Sequence, residues 1–209
     1  MIRILIADDH SIVRRGLKEI LLEEFPDAEI TGVSDGIELL RETRSSSWNI
    51  VISDLSMPGR NGLETLKQLR EESPKLPVLI LSMHPEDQYA IRALRAGAAG
   101  YLTKESASEE LVNAVRKILS GKKYISGDVA EKLAENLEVD STRALHEILS
   151  DREFDVLKMI ASGKTVSEIA EGLSLSVTTV STYRARILLK TKMKTNAELT
   201  HYAIENKLV

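Results

Sequence analysis

The sequence predicts a doubly wound α/β domain with a five-stranded parallel sheet, followed by a small all-α domain of four helices. Short apolar runs and helix-period segments alternate five times through the first 120 residues, which predicts the α/β domain. A loop-like and then polar stretch follows, and only short helical patterns come after it. A chain of 209 residues accommodates two domains of this size.

The predicted strands are runs of β-branched or aliphatic residues at 2–7, 28–33, 49–53, 77–82 and 99–102. Such continuous apolar runs are typical of strands buried on both faces of a parallel sheet. The amphipathic segments between them predict helices at 11–24, 36–46, 62–72, 86–96 and 107–119. The first domain is therefore placed at residues 1–120.

Several helix starts carry a capping residue followed three positions later by Glu, the pattern of a capping box. Two glycines stand where helices 151–161 and 166–172 should stop, and they predict left-handed residues there. The capping pairs are Asp35–Glu38, Asn61–Glu64, Ser106–Glu109, Ser150–Glu153 and Thr165–Glu168, and the glycines are Gly163 and Gly172.

Residues 121–148 are predicted to be a linker that contains one short helix. Residues 121–127 are typical of a loop, and residues 138–142 are polar enough for a linker. The short helix is indicated by apolar residues four apart at Val129, Leu133 and Leu137. The second domain is then 149–209.

Composition excludes several classes of protein. The absence of cysteine excludes a disulfide framework, a thiolate metal site and a cysteine nucleophile. A membrane span needs about twenty apolar residues, and the aliphatic runs here are far shorter. The apolar stretch at the N-terminus is too short for a signal peptide, so the expected compartment is the cytoplasm, with no membrane partner.

Charge is divided unevenly along the chain. Residues 1–150 carry a net charge of −6, whereas residues 151–209 carry +2. The segment between Glu171 and Glu198 contains no acid but has five cations, at Arg184, Arg186, Lys190, Lys192 and Lys194. This pattern predicts a polyanionic partner for the second domain, although a solvated helix face has the same charge pattern.

Polar side chains stand where four predicted strands end: Asp8 and Asp9, Asp54, Ser82, and Lys104. Ligands of open parallel sheets bind at this edge. Three carboxylates in one crevice need a cation among them, and Mg²⁺ prefers such oxygen ligands. The carboxylate of Asp54 can then attack phosphorus, while the metal and Lys104 offset the charge and Ser82 donates to a phosphoryl oxygen.

Each of these residues also has a purely structural interpretation. Asp9 can cap the following helix, and Lys104 can be a solvated lysine beyond a strand. Ser82 can be an ordinary strand-end hydroxyl, and Tyr101 a half-buried strand aromatic. The functional interpretation rests on the whole set, placed in order at the ends of four strands.

Residues 1–120 resemble the receiver domains of two-component response regulators. The resemblance is carried by Asp8-Asp9, the stretch 54–62, Ser82 and the stretch 101–104. It implies a flavodoxin-like fold in which Asp54 accepts a phosphoryl group from a sensor histidine kinase. It further implies that Ser82 and Tyr101 form a switch pair, in which the hydroxyl moves toward the phosphoryl group and the ring turns inward.

The same resemblance implies a set of Mg²⁺ ligands: Asp9, Asp54 and the backbone carbonyl of Ser56, with Asp8 acting through water. Two positions depart from the common receiver pattern. Lys104 is followed by Glu105 where many receivers have proline, and Ser82 is followed by Met83 where many have a smaller side chain. The bulk of Met83 can slow the approach of water or of small phosphodonors.

Residues 165–191 predict a helix, a tight turn at 173–175 and a second helix capped by Ser176. Val180, Ile187 and Leu188 fall on one stripe of the second helix and are expected to face the core. The opposite stripe is small and hydroxylated with cations beside it, which suits a DNA major groove. The candidate DNA contacts are Thr178, Ser181, Thr182, Arg184, Ala185, Arg186 and Lys190. A small helical domain that binds protein is the alternative.

Residues 149–209 resemble the LuxR-type helix-turn-helix domain of NarL/FixJ-class response regulators, and are most similar to those of the BvgA/EvgA type. The matching stretches are 149–153, 167–170 and 179–183, with the helix-turn-helix at about 164–183. Ser181 and Tyr183 stand where many members have Lys and His. Thr191-Lys192 replaces the usual Leu-Gly, which leaves the end of the second helix without its usual glycine.

The two resemblances together imply a transcription regulator rather than an enzyme. Phosphorylation of Asp54 by a histidine kinase would promote homodimerisation and binding to a two-fold DNA site, with RNA polymerase as a further partner. One alternative is a Mg²⁺-dependent phosphohydrolase similar to the haloacid dehalogenases, but those place the nucleophile in an Asp-x-Asp arrangement. A second alternative is a DNA-binding protein whose receiver dimerises without phosphorylation.

Overall fold

The computed structural model describes residues 1–57, 62–84, 86–127, 129–131 and 144–209, with no side-chain detail at 86–88. The chain forms two compact units, Met1–Glu135 and Asn136–Val209, and each is described by itself. The predicted cap at Asn61 and the predicted helix positions Leu133 and Leu137 lie outside the described residues.

The first unit is a five-stranded sheet with strand order β2-β1-β3-β4-β5, and every strand pair is parallel. This confirms the predicted fold class. The strands are β1 Arg3–Ala7, β2 Glu29–Val33, β3 Ile50–Asp54, β4 Val78–Ser82 and β5 Gly100–Thr103. The helices are α1 Ser11–Glu24, α2 Gly36–Ser45, α3 Gly62–Glu72, α4 Glu86–Arg95 and α5 Ala107–Leu119.

Strand register brings the polar strand ends to one edge of the sheet. Ala7 pairs with Ser53, which sets Asp8 beside Asp54. At the far strand, Ser82 pairs with Thr103, and the amide of Lys104 donates to the carbonyl of Ser82 over 2.8 Å. The apolar strand interiors, such as Ile4, Ile52 and Leu81, are fully buried beneath the helices. Burial of these side chains is the main driving force for the fold.

In the first unit, one predicted helix cap is confirmed and another is wrong. The carboxylate of Asp35 accepts hydrogen bonds from the amides of Ile37 and Glu38, as predicted. The predicted cap by Ser106 is wrong, because Ser106 has helical backbone angles and makes no side-chain cap. Its hydroxyl instead exchanges hydrogen bonds with Thr103, within the turn that follows β5.

The loop predicted at 121–127 contains one residue that joins the sheet edge. Tyr124 forms a parallel bridge with Gly100, and its amide donates to the carbonyl of Ala99 over 2.8 Å. Its hydroxyl donates to Glu110 over 2.8 Å. A Cβ atom at Gly100 would lie 2.9 Å from the carbonyl oxygen of Tyr124, so this close approach requires glycine.

The second unit is all α. A 3₁₀ turn at Leu145–Ile148 precedes α6 Asp151–Ala161, α7 Val166–Gly172, α8 Val177–Thr191 and α9 Asn196–Glu205. This confirms the predicted four-helix domain. Its core includes Phe154 and Leu157 of α6, Ile169 of α7 and Leu199 of α9, all at most 1% exposed. No helix in the described part of the chain is long and apolar enough to cross a membrane.

Local signals in this unit are confirmed except at one glycine. Ser150 and Thr165 form complete capping boxes with Glu153 and Glu168, and Gly163 has a φ of 81°. The prediction for Gly172 is wrong, because it is the last residue of α7 and the left-handed residue is Ser174, with a φ of 54°. A Cβ at Gly172 would lie 3.1 Å from Cε of Met159, so this glycine allows helix packing instead.

Candidate metal centre and nucleic-acid interface

Three carboxylates meet at the carboxyl edge of the sheet. Asp8 follows β1 and is 1% exposed, and Asp54 ends β3 and is 3% exposed. Asp9 is half-buried beside them. Ligand atoms of Asp8, Asp9, His10 and Asp54 all lie within 4.8 Å of one another, which is compact enough to hold one metal ion. The structure thus brings the predicted carboxylates together.

The side chain of Lys104 reaches into this cluster from the end of β5. Its ammonium nitrogen lies 2.8 Å from Oδ2 of Asp54 and 2.6 Å from Oδ2 of Asp8. It is 11% exposed, so the pairs are largely shielded from solvent. One ammonium offsets only one of the three carboxylate charges, which leaves the cluster negative.

Two carboxylate oxygens in the cluster are buried without a hydrogen bond from any described donor: Oδ2 of Asp8 and Oδ1 of Asp9. Nζ of Lys104 lies 2.6 Å from Oδ2 of Asp8, and Nδ1 of His10 lies 2.8 Å from Oδ1 of Asp9, neither in hydrogen-bond geometry. Lys104 offsets only one charge, and buried carboxylates whose charge is uncompensated are costly unless a further cation lies against them. An all-oxygen donor set of this charge fits a hard divalent ion such as Mg²⁺.

Burial and pairing shift the ionisation of the central pair. Burial raises the pKa of Asp54, against the lowering effect of hydrogen bonds from Lys104 and from the backbone amide of Ser56. Burial acts to lower the pKa of Lys104, but its contacts with Asp54 and Asp8 outweigh this and raise that pKa. The ammonium therefore stays charged, and Asp54 is a poorly solvated carboxylate beside it.

The backbone of His84 connects the two predicted switch residues. Its amide donates to Oγ of Ser82 over 3.1 Å, and its carbonyl accepts from the hydroxyl of Tyr101 over 2.8 Å. Both Ser82 and Tyr101 are buried, at 0% and 3% exposure. The ring of Tyr101 therefore lies inward, and its hydroxyl is held by the loop that follows β4.

The surroundings of Asp54 include two further side chains. The imidazole of His84 lies 3.1 Å from the hydroxyl of Ser56 and stacks on the ring of Tyr89, with centroids 4.4 Å apart. Met83, in contrast, is 67% exposed, so its side chain points largely into solvent. The peptide between Lys104 and Glu105 is trans, since the described residues contain no cis peptide bond.

In the second unit, α8 presents the predicted small, hydroxylated stripe. Thr178, Ser181, Thr182 and Ala185 are exposed, whereas Val180 and Ile187 are fully buried. Leu188, predicted in the core, is only partly buried. Leu189 lies on the outward side and is 79% exposed. Ser176 caps the start of the helix, and its side chain accepts a hydrogen bond from the amide of Thr179.

The cations of α8 differ in their partners. Arg186 is exposed. Nε of Arg184 donates to Oδ1 of Asn196 over 2.6 Å, which holds the guanidinium against the start of α9. The ammonium of Lys190 lies 2.6 Å from Oε2 of Glu153, whose side chain is 3% exposed. Of the three predicted cationic contacts, Arg186 is therefore exposed, Arg184 is oriented by Asn196, and Lys190 is paired with Glu153.

The end of α8 is closed without glycine. Lys192 adopts the left-handed conformation with φ 59° and ψ 22°, and its amide donates to the carbonyls of Leu188 and Leu189. Lysine thus occupies the conformation for which glycine is preferred.

Sequence reasoning missed four residues that contact the predicted ones: His10, His84, Glu153 and Asn196. Two had a usable signal, because His10 follows Asp9 directly and His84 lies two positions after Ser82. Glu153 was predicted as a cap but not as the partner of Lys190, and nothing in the sequence pattern links Asn196 to Arg184.

Residues 4–116 match the family described as response regulator receiver domain, and residues 147–203 match the bacterial regulatory proteins of the luxR family. The chain belongs to the response regulators. This response regulator combines a receiver domain with a LuxR-type DNA-binding domain, as in the NarL/FixJ class. Family membership favours the receiver interpretation of the acidic cluster over the phosphohydrolase alternative.

Known response regulators are similar to this chain along nearly its whole length. Response regulator UvrY of Escherichia coli K12 is 37% identical over 210 residues, which cover 100% of this chain and 96% of that protein. RcsB of Salmonella enterica serovar Typhimurium, solved bound to promoter rprA with phosphomimetic BeF3⁻, is 26% identical with a TM-score of 0.65, covering 97% and 98% of the chains. A structure of two RcsB dimers bound to two parallel DNAs is 27% identical with a TM-score of 0.59, covering 96% of each chain.

Proposed function

We propose that this response regulator controls transcription through Mg²⁺-dependent phosphorylation of Asp54 by a sensor histidine kinase. In this proposal residues 1–120 are the phosphoacceptor domain, 121–148 the linker and 149–209 the DNA-binding domain. The observation that carries it is the buried carboxylate of Asp54, which is paired with Lys104 and whose ligand atom lies within 4.8 Å of those of Asp8, Asp9 and His10.

The chemistry assigned to the cluster is the transfer of one phosphoryl group. An oxygen of Asp54 forms a bond to phosphorus as the bond from phosphorus to the kinase histidine nitrogen breaks. Lys104 offsets negative charge on the phosphoryl oxygens, and the hydroxyl of Ser82 donates to one of them. Mg²⁺, held by Asp9, Asp54 and the carbonyl of Ser56, with Asp8 through water, would supply further positive charge.

The response to phosphorylation is assigned to Ser82 and Tyr101. Both side chains are hydrogen-bonded to the backbone of His84, so movement of the Ser82 hydroxyl toward a phosphoryl group would release the amide of His84. The loop after β4 and the ring of Tyr101 would then shift together. A phosphoryl group that favours one of two such arrangements biases the receiver population.

The DNA-binding part of the proposal places α8 in the major groove. The exposed stripe of Thr178, Ser181, Thr182 and Ala185 would meet base edges, with Arg184, Arg186 and Lys190 beside it at phosphates. RcsB is described as dimers bound to DNA, which supports a homodimer on a two-fold site. Bound at a promoter in the cytoplasm, the protein would lie near RNA polymerase, a further partner in this proposal.

The test is intact-protein mass after exposure to acetyl phosphate with Mg²⁺, with Asp54→Asn and a sample without metal as controls. One added phosphoryl group that requires both Asp54 and Mg²⁺ is the expected result, followed by tighter binding of promoter DNA. The same assay is repeated with a histidine kinase as the donor. If neither donor gives an adduct, the constitutive DNA-binding alternative replaces this proposal.

A further inference from the structure

A second concave site lies in the first unit at the amino ends of the strands, opposite the edge that holds Asp54. The cavity has a volume of about 420 Å³. Asn49, Pro77 and Ala99, which directly precede β3, β4 and β5, line it together with the end of α5. This volume falls in the range of small-molecule sites.

The lining of this cavity is strongly basic. It includes Arg70, Lys75, Lys122 and Lys123, and none of its lining residues is Asp or Glu. Within the described part of the chain, none of these four cations forms an ion pair with a carboxylate. The first 150 residues carry a net charge of −6, so the cavity reverses the sign of its domain.

Arg70 is held in place before any ligand arrives. Its Nη1 donates to the carbonyl of Leu76 over 3.3 Å. Its side chain packs over Gly97, where an added Cβ would lie 3.0 Å from Cγ and from Nε of Arg70. Gly97 also has a φ of 101°, so glycine is favoured there on two counts. An oriented guanidinium is suited to binding phosphate oxygens with two parallel hydrogen bonds.

The remaining lining is apolar. Pro74, Pro77, Ala98, Ile118 and Leu119 share the cavity wall with the four cations. A ligand that fits both the cations and the apolar wall has a group with several negative charges and a small carbon-rich group. Four cations along one cavity wall suit a ligand with more than one anionic group, and a nucleic acid duplex is too wide to enter a cavity of this volume.

We propose that this cavity binds a small organic polyphosphate, with two or more phosphate groups at the four cations. The site is separate from the Asp54 cluster and goes beyond the proposed function. Lys122 and Lys123 directly precede Tyr124, whose amide is bonded to Ala99 of the cavity wall. A bound polyphosphate would therefore fix the start of the linker to the sheet.

The test is isothermal titration calorimetry of the full chain with ATP and with sodium tripolyphosphate, without divalent cations and at low salt. One site per chain is expected, and its affinity should fall as salt is raised because Lys75, Lys122 and Lys123 are exposed. Lys75→Gln with Lys122→Gln should weaken binding about tenfold or more. The matched control, Arg15→Gln with Lys18→Gln, removes two exposed cations of α1 and should leave the affinity within about twofold.

A second pair of substitutions addresses the other basic region of the chain. Arg186→Gln with Lys192→Gln should not change the affinity for either probe. The proposal is overturned if neither probe binds, or if the α1 control weakens binding as much as the cavity pair does. It is also overturned if the Arg186 and Lys192 substitutions abolish binding. Asp54→Asn should bind both probes like the wild type, so failure here is distinguishable from failure of phosphorylation at Asp54.

Discussion

The ammonium nitrogen of Lys190 lies 2.6 Å from Oε2 of Glu153, which ties α8 to α6 within the DNA-binding domain. The same carboxylate closes the capping box at Ser150. Glu153 therefore joins a helix start and a cation of the proposed DNA interface. Lys190 therefore has a partner within the domain, whereas Arg186 of the same proposed interface is exposed.

Lys190→Gln is expected to lower the free energy of unfolding of the DNA-binding domain by about 1–2 kcal/mol, because it leaves Glu153 buried without its ion pair. Lys190 is 40% exposed, so the cost is smaller than for a fully buried pair. Chemical denaturation followed by circular dichroism measures this change in the free energy of unfolding. An unchanged stability would show that the pair contributes nothing to folding.

Arg186→Gln is expected to reduce the salt dependence of DNA binding, because an exposed cation at a phosphate releases a counterion. The slope of log affinity against log salt should fall by about one per subunit. Lys190→Gln should change this slope less, since Glu153 holds its ammonium. DNA-binding titrations at several salt concentrations compare the two variants, and a larger effect for Lys190 would contradict the assignment.

The stability of the DNA-binding domain should fall at acid pH through Glu153. Burial raises the pKa of Glu153, but the hydrogen bonds from Lys190 and Ser150 outweigh it and hold that pKa below its ordinary value. The carboxylate therefore contributes stability above the ordinary glutamate pKa, and this is lost as pH falls through the depressed value. Thermal unfolding against pH should show a smaller acid-induced decrease for Glu153→Gln.

Lys104→Gln should separate metal binding from phosphoryl transfer. The ammonium contacts Asp54 and Asp8, so its removal leaves three carboxylates without a fixed counter-charge. Divalent ions should then bind as tightly as before or more tightly, while adduct formation at Asp54 slows by about tenfold or more. Calorimetry with Mg²⁺ and mass measurements over time check the two effects, with Lys18→Gln as control. Weaker binding of Mg²⁺ by Lys104→Gln than by the wild type would contradict this prediction.

Tyr101→Phe should leave phosphorylation of Asp54 intact and weaken its effect on DNA binding. The change removes the hydrogen bond to the carbonyl of His84 while keeping the ring buried. The receiver should lose about 1 kcal/mol of stability. The ratio of DNA affinities with and without phosphorylation is the measurement, and an unchanged ratio would remove Tyr101 from the switch.

Lys192→Gly should stabilise the DNA-binding domain by about 0.5–1 kcal/mol, because glycine adopts the left-handed conformation of this helix end without strain. Lys192→Gly should raise the denaturation midpoint, whereas Lys192→Ala keeps the Cβ atom and should leave it nearly unchanged. If both variants are destabilised alike, the lysine side chain rather than its backbone conformation matters there.

The sequence by itself predicted the five-stranded parallel sheet and the meeting of Asp8, Asp54 and Lys104 at one of its edges. Continuous apolar runs alternating with helices admit few topologies, and a parallel sheet brings its strand ends to one edge. The capping boxes at Ser150 and Thr165 were equally predictable, because each depends on residues only three positions apart.

Only the tertiary structure decided which side chains pair across the molecule. Ser106 hydrogen-bonds to Thr103 instead of capping its helix, and Lys190 pairs with Glu153. Gly172 lies close to Met159 and does not adopt a left-handed conformation. The basic cavity is built from segments near Asn49, Arg70, Gly97 and Lys122, which no local pattern connects. Periodicity and spacing encode local structure, whereas these contacts depend on how distant segments pack in three dimensions.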